Sequence, residues 1–174
     1  MSASRSIITI LVLVVPLAGG CRCRTGMGED HASLAGASRM ARSFWLDVLR
    51  GDLGSAEKHL ATGEEIRAAL EGWGRVMNEP FDEATLQKEV DATYARLQAR
   101  WAGIKSGKEP LPDGLDAEGI MKADTLVGNK LFIGPSVSYI QRLTLTGPGV
   151  DPAKARVAGA VRVGDGEWKI LWLP

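Results

Sequence analysis

Two cysteines, two histidines, two tyrosines and five tryptophans are the residues of this chain with the most distinctive chemistry. Cys21 and Cys23 form a Cys-Arg-Cys pair that could serve a metal or a redox couple, but no further Cys or His cluster completes such a site. His31 falls in a polar stretch and His59 on a short charged one, so both read as surface residues. Acid–base catalysis at neutral pH needs a group tuned near 7, usually a histidine or a buried carboxylate, and neither is expected inside this domain. The run Gly103-Ile104-Lys105-Ser106-Gly107-Lys108-Glu109 is one residue short of a phosphate loop and lacks the hydroxyl residue after the lysine. Tyr139 could polarise a carbonyl, although a half-buried tyrosine is ordinarily a core residue with its hydroxyl satisfied. What remains is a candidate apolar pocket of Trp45, Tyr139, Gln141, Trp168 and Trp172, the kind of aromatic lining that takes small molecules. The simpler reading is that the tryptophans fill the core. No metal and no cofactor is expected.

Composition sets the frame for these residues. The chain has 174 residues, 45% hydrophobic and 24% charged, which fits one globular domain with extensions and excludes intrinsic disorder. Lysine plus arginine equals aspartate plus glutamate at 21 each, so there is no basic field for nucleic acid.

The first segment is different in kind. Arg5 precedes an apolar run, Ile7–Ala18, broken only by Thr9 and Pro16. That length fits a signal-peptide core, whereas a bilayer span needs about 20 apolar residues. Ala18-Gly19-Gly20 then leads into Cys21. The segment resembles a bacterial lipoprotein signal, with Leu17 one place earlier than usual and Ala18 in its slot. The resemblance implies diacylglyceryl transfer to the Cys21 sulfur, cleavage before it and acylation of the new amine. More than one fatty chain gives stable anchoring, at about 0.8 kcal/mol per buried methylene. Arg22, a non-Asp residue after the cysteine, implies sorting to the outer membrane. An ordinary secretory signal and an uncleaved anchor are the alternatives. Residues 1–20 are therefore expected to be a signal peptide, 21–32 a tether and 33–174 one domain. Apart from the two cysteines at the anchor the domain has none, so its core alone must hold the fold.

Helical periodicity predicts a helix over 33–50, stopped by Gly51, and a short second one capped by Asp52 and running to Leu60. Thr62 and Glu65 form a capping box for a third, ended by Pro80. Asp82 caps a long fourth, with Phe81 stapling onto Leu86 and a buried stripe of Leu86, Val90, Tyr94, Leu97, Trp101 and Ile104. Lys105–Gly119 reads as a linker. The period then becomes two. Met121–Val127 reads as a strand closed by a Gly128-Asn129 turn, followed by strands at 136–146 and 154–163 and a last one carrying Trp168, Ile170 and Trp172.

For the final hairpin, a three-residue Gly164-Asp165-Gly166 loop would set Arg162 against Trp168 and put a charge on the core face. A two-residue Asp165-Gly166 turn instead pairs Val163 with Trp168, Val161 with Ile170 and Gly159 with Trp172, and is the expected form. The inward set is then Met121, Ala123, Thr125, Val127, Val137, Tyr139, Gln141, Leu143, Leu145, Ala155, Val157, Val161, Val163, Trp168, Ile170 and Trp172, without a charge.

The expected fold class is α+β, with N-terminal helices covering one face of a curved, cone-like C-terminal antiparallel sheet of about four strands. The segments Phe44-Trp45-Leu46-Asp47-Val48-Leu49-Arg50-Gly51-Asp52 and Asp165-Gly166-Glu167-Trp168-Lys169-Ile170 resemble the nuclear-transport-factor-2-like superfamily, the α+β cone fold. That group includes enzymes using Asp, His or Tyr inside the cone and relatives that only bind. The functional expectation is a non-catalytic binding or interaction module of the cell envelope, held to the membrane by its lipid and facing the periplasm. Its expected partner is an apolar small molecule or an envelope protein. The alternatives are a structural lipoprotein without a small ligand and a cone-fold enzyme using a cavity tyrosine.

Overall fold

The computed structural model describes residues 27–112, 115, 120, 126–133, 137–145 and 156–174, with the backbone alone given at 27–33, 76, 126–133, 141, 145 and 156. The described residues form α1 (Met27–Arg50), α2 (Leu53–Glu57), α3 (Gly63–Met77) and α4 (Glu83–Lys105), then β1 (Leu126–Ile133), β2 (Val137–Leu145), β3 (Arg156–Val163) and β4 (Lys169–Trp172). The strands make one antiparallel sheet in the order β1-β2-β3-β4, and the sheet is not closed. The architecture is α+β, with every helix ahead of every strand.

Local chemistry sets the helix ends. Gly51, at φ 77°, closes α1 while its N–H and that of Asp52 donate to the carbonyls of Val48 and Asp47. This is the paired bonding of a glycine-terminated helix. Asp52 then opens α2, its carboxylate accepting from the Ser55 N–H at 3.1 Å. Thr62 and Glu65 complete the capping box of α3 in both directions. That helix ends two residues before Pro80, at left-handed Asn78, whose N–H and that of Glu79 bond the Arg75 and Gly74 carbonyls. Asp82 caps α4 through the Thr85 N–H at 2.9 Å.

Several expectations change. α1 starts at Met27, so the helix takes in the second half of the presumed tether. On α4 Leu86, Val90, Leu97 and Trp101 are buried, but Tyr94 is 40% exposed because it falls at the margin of the apolar stripe. Phe81 lies against Gly74 of α3 and is 37% exposed. Leu115 is buried, and so is Ile120 just past the linker, so the segment read as a linker is pinned to the core. Gly128 and Asn129 make no turn. They pair with Leu143 and Arg142 inside β1, and the connection falls between Ile133 and Val137. Cross-strand pairing outweighs the turn preference of a Gly-Asn dipeptide. Residues 121–125 and 155 of the inward set lie outside the described residues.

The sheet is covered on both faces. Val157, Ala158, Gly159, Ala160 and Val161 are consecutive and all buried, which one covered face cannot produce in an alternating strand. α3 lies on one side, its Gly72 against Val137 and its Trp73 against Tyr139. α1 lies on the other, with Gly36 against Trp168. A bulge accounts for part of the misreading. Ile140 pairs with Ala160 and Leu143 with Ala158, so β2 carries an extra residue and Leu143 turns to the face opposite Tyr139.

The closing hairpin takes the longer loop. Val161 pairs with Lys169 and Ala160 with Ile170, which sets Arg162 across from Trp168 around Gly164-Asp165-Gly166. Gly164 adopts φ 54°, and the Gly166 N–H donates to the Val163 carbonyl. The pairings of Val163 with Trp168 and Val161 with Ile170 are therefore overturned. That of Gly159 with Trp172 is present, because a second irregularity, at Leu171, brings Trp172 back opposite the glycine.

Candidate functional site

Cys21, the expected lipidation site, lies outside the described residues. The five candidate pocket residues are placed by different elements, and the structure divides them. Trp45, on the buried face of α1, is 1% exposed; its ring meets Phe44 edge-on at 4.8 Å and its indole N–H donates to the Val157 carbonyl at 3.1 Å. Phe44 in turn touches Trp101 of α4. This side chain ties the N-terminal helix to β3 and is packed as core.

Trp168 is 7% exposed and lies between Gly36 and Arg162, whose guanidinium stands 5.5 Å from the ring centroid. The electron-rich indole face accepts a cation, which is why a charge is tolerated on a face that the sequence pattern reserves for apolar residues. The Arg162 Nε is buried and has no hydrogen-bond partner. The inward set thus gains an arginine that alternation alone could not reveal. The sequence signal for it is the three-residue Gly-Asp-Gly loop, which opposes unlike residues.

Tyr139 is on the opposite face. It is half-buried, its ring 6.3 Å from that of Trp73, and burial pushes its hydroxyl pKa upward, away from acid–base work at neutral pH. Trp172 is half-buried against Gly159, and a side chain at Gly159 would overlap its indole. Gln141 lies in the bulged stretch of β2, and its side chain is outside the described residues. Tyr139 and Trp168 therefore do not share a wall, since the pairing of β2 with β3 and β3 with β4 points them to opposite sides.

His59 is less exposed than its charged surroundings suggest. Its Nε2 stands 3.7 Å from Asp47 Oδ2, and its carbonyl accepts the Ile170 N–H at 2.8 Å. With the Ala61 N–H donating to the Ile170 carbonyl, the segment after α2 forms a short parallel bridge along β4. His59 is thereby part of a structural clasp between α2 and β4. Among the described residues no group of three or more His, Cys, Asp or Glu side chains is placed to hold a metal ion. No helix among them is long and apolar enough to cross a membrane.

Among the described residues five large apolar ones are exposed: Trp73 at 36%, Met77 at 52%, Phe81, Tyr94 and Leu111. Trp73 and Met77 are one turn apart on α3, and Phe81 comes back against Gly74 between them. Trp73, Met77 and Phe81 thus form an apolar cluster on the surface of the described residues. The chain matches no family model, no curated protein and no solved structure.

Proposed function

We propose that the protein is a lipid-anchored cell-envelope lipoprotein whose α+β domain is a non-catalytic binding or interaction module. The observation that carries the reading is the sequence Ala18-Gly19-Gly20-Cys21 at the end of a short apolar run, followed within six residues by the first helix. The similarity to lipoprotein signals supports placement in the outer membrane facing the periplasm. The cone-fold likeness of the Gly51-Asp52 helix end and the closing hairpin supports a binding role. The packing of Trp45 and Trp168 into the core favours an interaction surface over a tryptophan-lined cavity for a small apolar ligand.

Replacing Cys21 by serine tests this. The domain is expected to fold as before, because its core holds no thiol, while metabolic labelling with a fatty acid disappears and the chain leaves the membrane fraction. Equal label on the wild type and Cys21→Ser would exclude Cys21 as the anchor.

A further inference from the structure

We propose that the Trp73–Met77–Phe81 cluster lies against the bilayer that holds the anchor, so that the lipoprotein has one fixed face toward the membrane. The inference rests on the lipoprotein reading and adds an orientation to it. α1 runs along the sheet from Gly36, against Trp168 at the β3–β4 hairpin, to Trp45, against the Val157 carbonyl some six residues further along β3. Its N-terminus therefore projects past the hairpin end, by about 13 Å from Gly36 to Met27 at 1.5 Å per residue.

α3 reaches the same end on the other face. It begins beside Ala61, bonded to Ile170 in the middle of β4, and Gly72 meets Val137, which pairs with Val163 at the hairpin. Met77 lies about 7 Å beyond Gly72. The exposed cluster and the helix nearest the anchor thus emerge from one end of the molecule. Leu111, which follows the C-terminus of α4, lies toward the opposite end, because α4 packs on α3 and runs back along it.

Chain length limits which end of the domain can reach the bilayer. Only six peptide steps separate Cys21 from Met27, at most about 20 Å even when fully extended. A domain on so short a tether cannot present its far end, since β3 alone spans roughly 20 Å between Val157 and Val163. A tryptophan with its polar N–H, flanked by methionine and phenylalanine, suits the headgroup boundary of a bilayer. The neighbouring Arg75, Glu71 and Glu79 sum to a single negative charge, so nothing beside the cluster calls for an anionic lipid.

The test uses the full lipidated chain in phosphatidylcholine vesicles whose acyl chains carry bromine near the headgroup. Tryptophan emission of the wild type is expected to be quenched relative to unbrominated vesicles, and Trp73→Phe to lose that quench; Met77→Glu is expected to weaken it while leaving the circular dichroism unchanged. A lipidated chain whose quench survives Trp73→Phe would overturn the orientation and leave the anchor intact. Absence of fatty-acid label on the wild type would remove the anchor and the orientation with it. A dimer of the Cys21→Ser chain in sedimentation, dissolved by Met77→Glu, would assign the cluster to a second copy and overturn membrane docking.

Discussion

Gly159 has no room for a side chain, because a Cβ built there overlaps the Trp172 indole. Gly159→Val is expected to destabilise the domain by about 1–3 kcal/mol through overpacking. A urea midpoint equal to the wild type would show that Trp172 swings away at no cost. Arg162 and Trp168 permit a sharper measurement, since the stability contribution of a half-buried cation over an indole is about 0.5–2 kcal/mol. A double-mutant cycle with Arg162→Met and Trp168→Leu should return a coupling in that range. The cycle is needed because Arg162→Met also removes the unpartnered Nε donor, which offsets the lost attraction. At Asp82, hydrogen bonds from the Thr85 backbone and hydroxyl hold the carboxyl below the ordinary aspartate value, and Ser55 does the same for Asp52. A carboxyl depressed in the folded state stabilises above its unfolded pKa of about 3.9 and loses that contribution as pH falls through the folded value. The melting temperature should therefore drop below about pH 4, and by less in Asp82→Asn, whose amide still caps the helix but does not titrate.

Single elements were legible wherever their signals are local. The cap residues Asp52, Thr62 and Asp82 and the stop at Gly51 each depend on groups within four residues, and each is found in its expected role. Thr62→Ala should accordingly cost about 1 kcal/mol, since it leaves the Glu65 N–H without its acceptor and removes the hydroxyl that donates to the Glu65 carboxylate, while the backbone N–H at 62 keeps its return bond. Thermal unfolding of the variant measures this directly. Strand registers were less legible. Gly128-Asn129 has the composition of a turn yet runs through β1, because the hydrogen bonds that decide the matter come from β2. The hairpin loop departs from the expected form for a related reason: matching like with like leaves out the favourable opposition of an arginine and a tryptophan face.

At the scale of the molecule the sheet is the middle layer, with α1 and α3 on its two faces and α4 in contact with α3 and with Trp45's neighbour Phe44. Two helical layers sharing one sheet should unfold together. Ile66→Ala on α3 and Ile140→Ala on β2 both remove fully buried side chains and should each cost about 2–5 kcal/mol. Circular dichroism and tryptophan fluorescence are expected to report one coincident transition for each variant; separate transitions would mean that the layers are independent cores.

The sequence alone determined the α+β class and the helix order with its caps, because periodicity and capping are written within short windows; the closeness of Gly159 to Trp172 came instead from an irregularity at Leu171 that offsets the shifted hairpin register. The division of the candidate pocket was decided only by the tertiary structure. Tyr139 and Trp168 fall on opposite faces because the three-residue hairpin loop shifts β4 by one residue against β3, while the added residue in β2 lies beyond Tyr139 and reverses Leu143 instead. The exposure of Trp73 and Met77 was likewise beyond the pattern. Both belong to the apolar stripe of α3; Trp73 packs its ring on Tyr139 yet keeps 36% of its surface exposed, and Met77, one turn further on, keeps 52%.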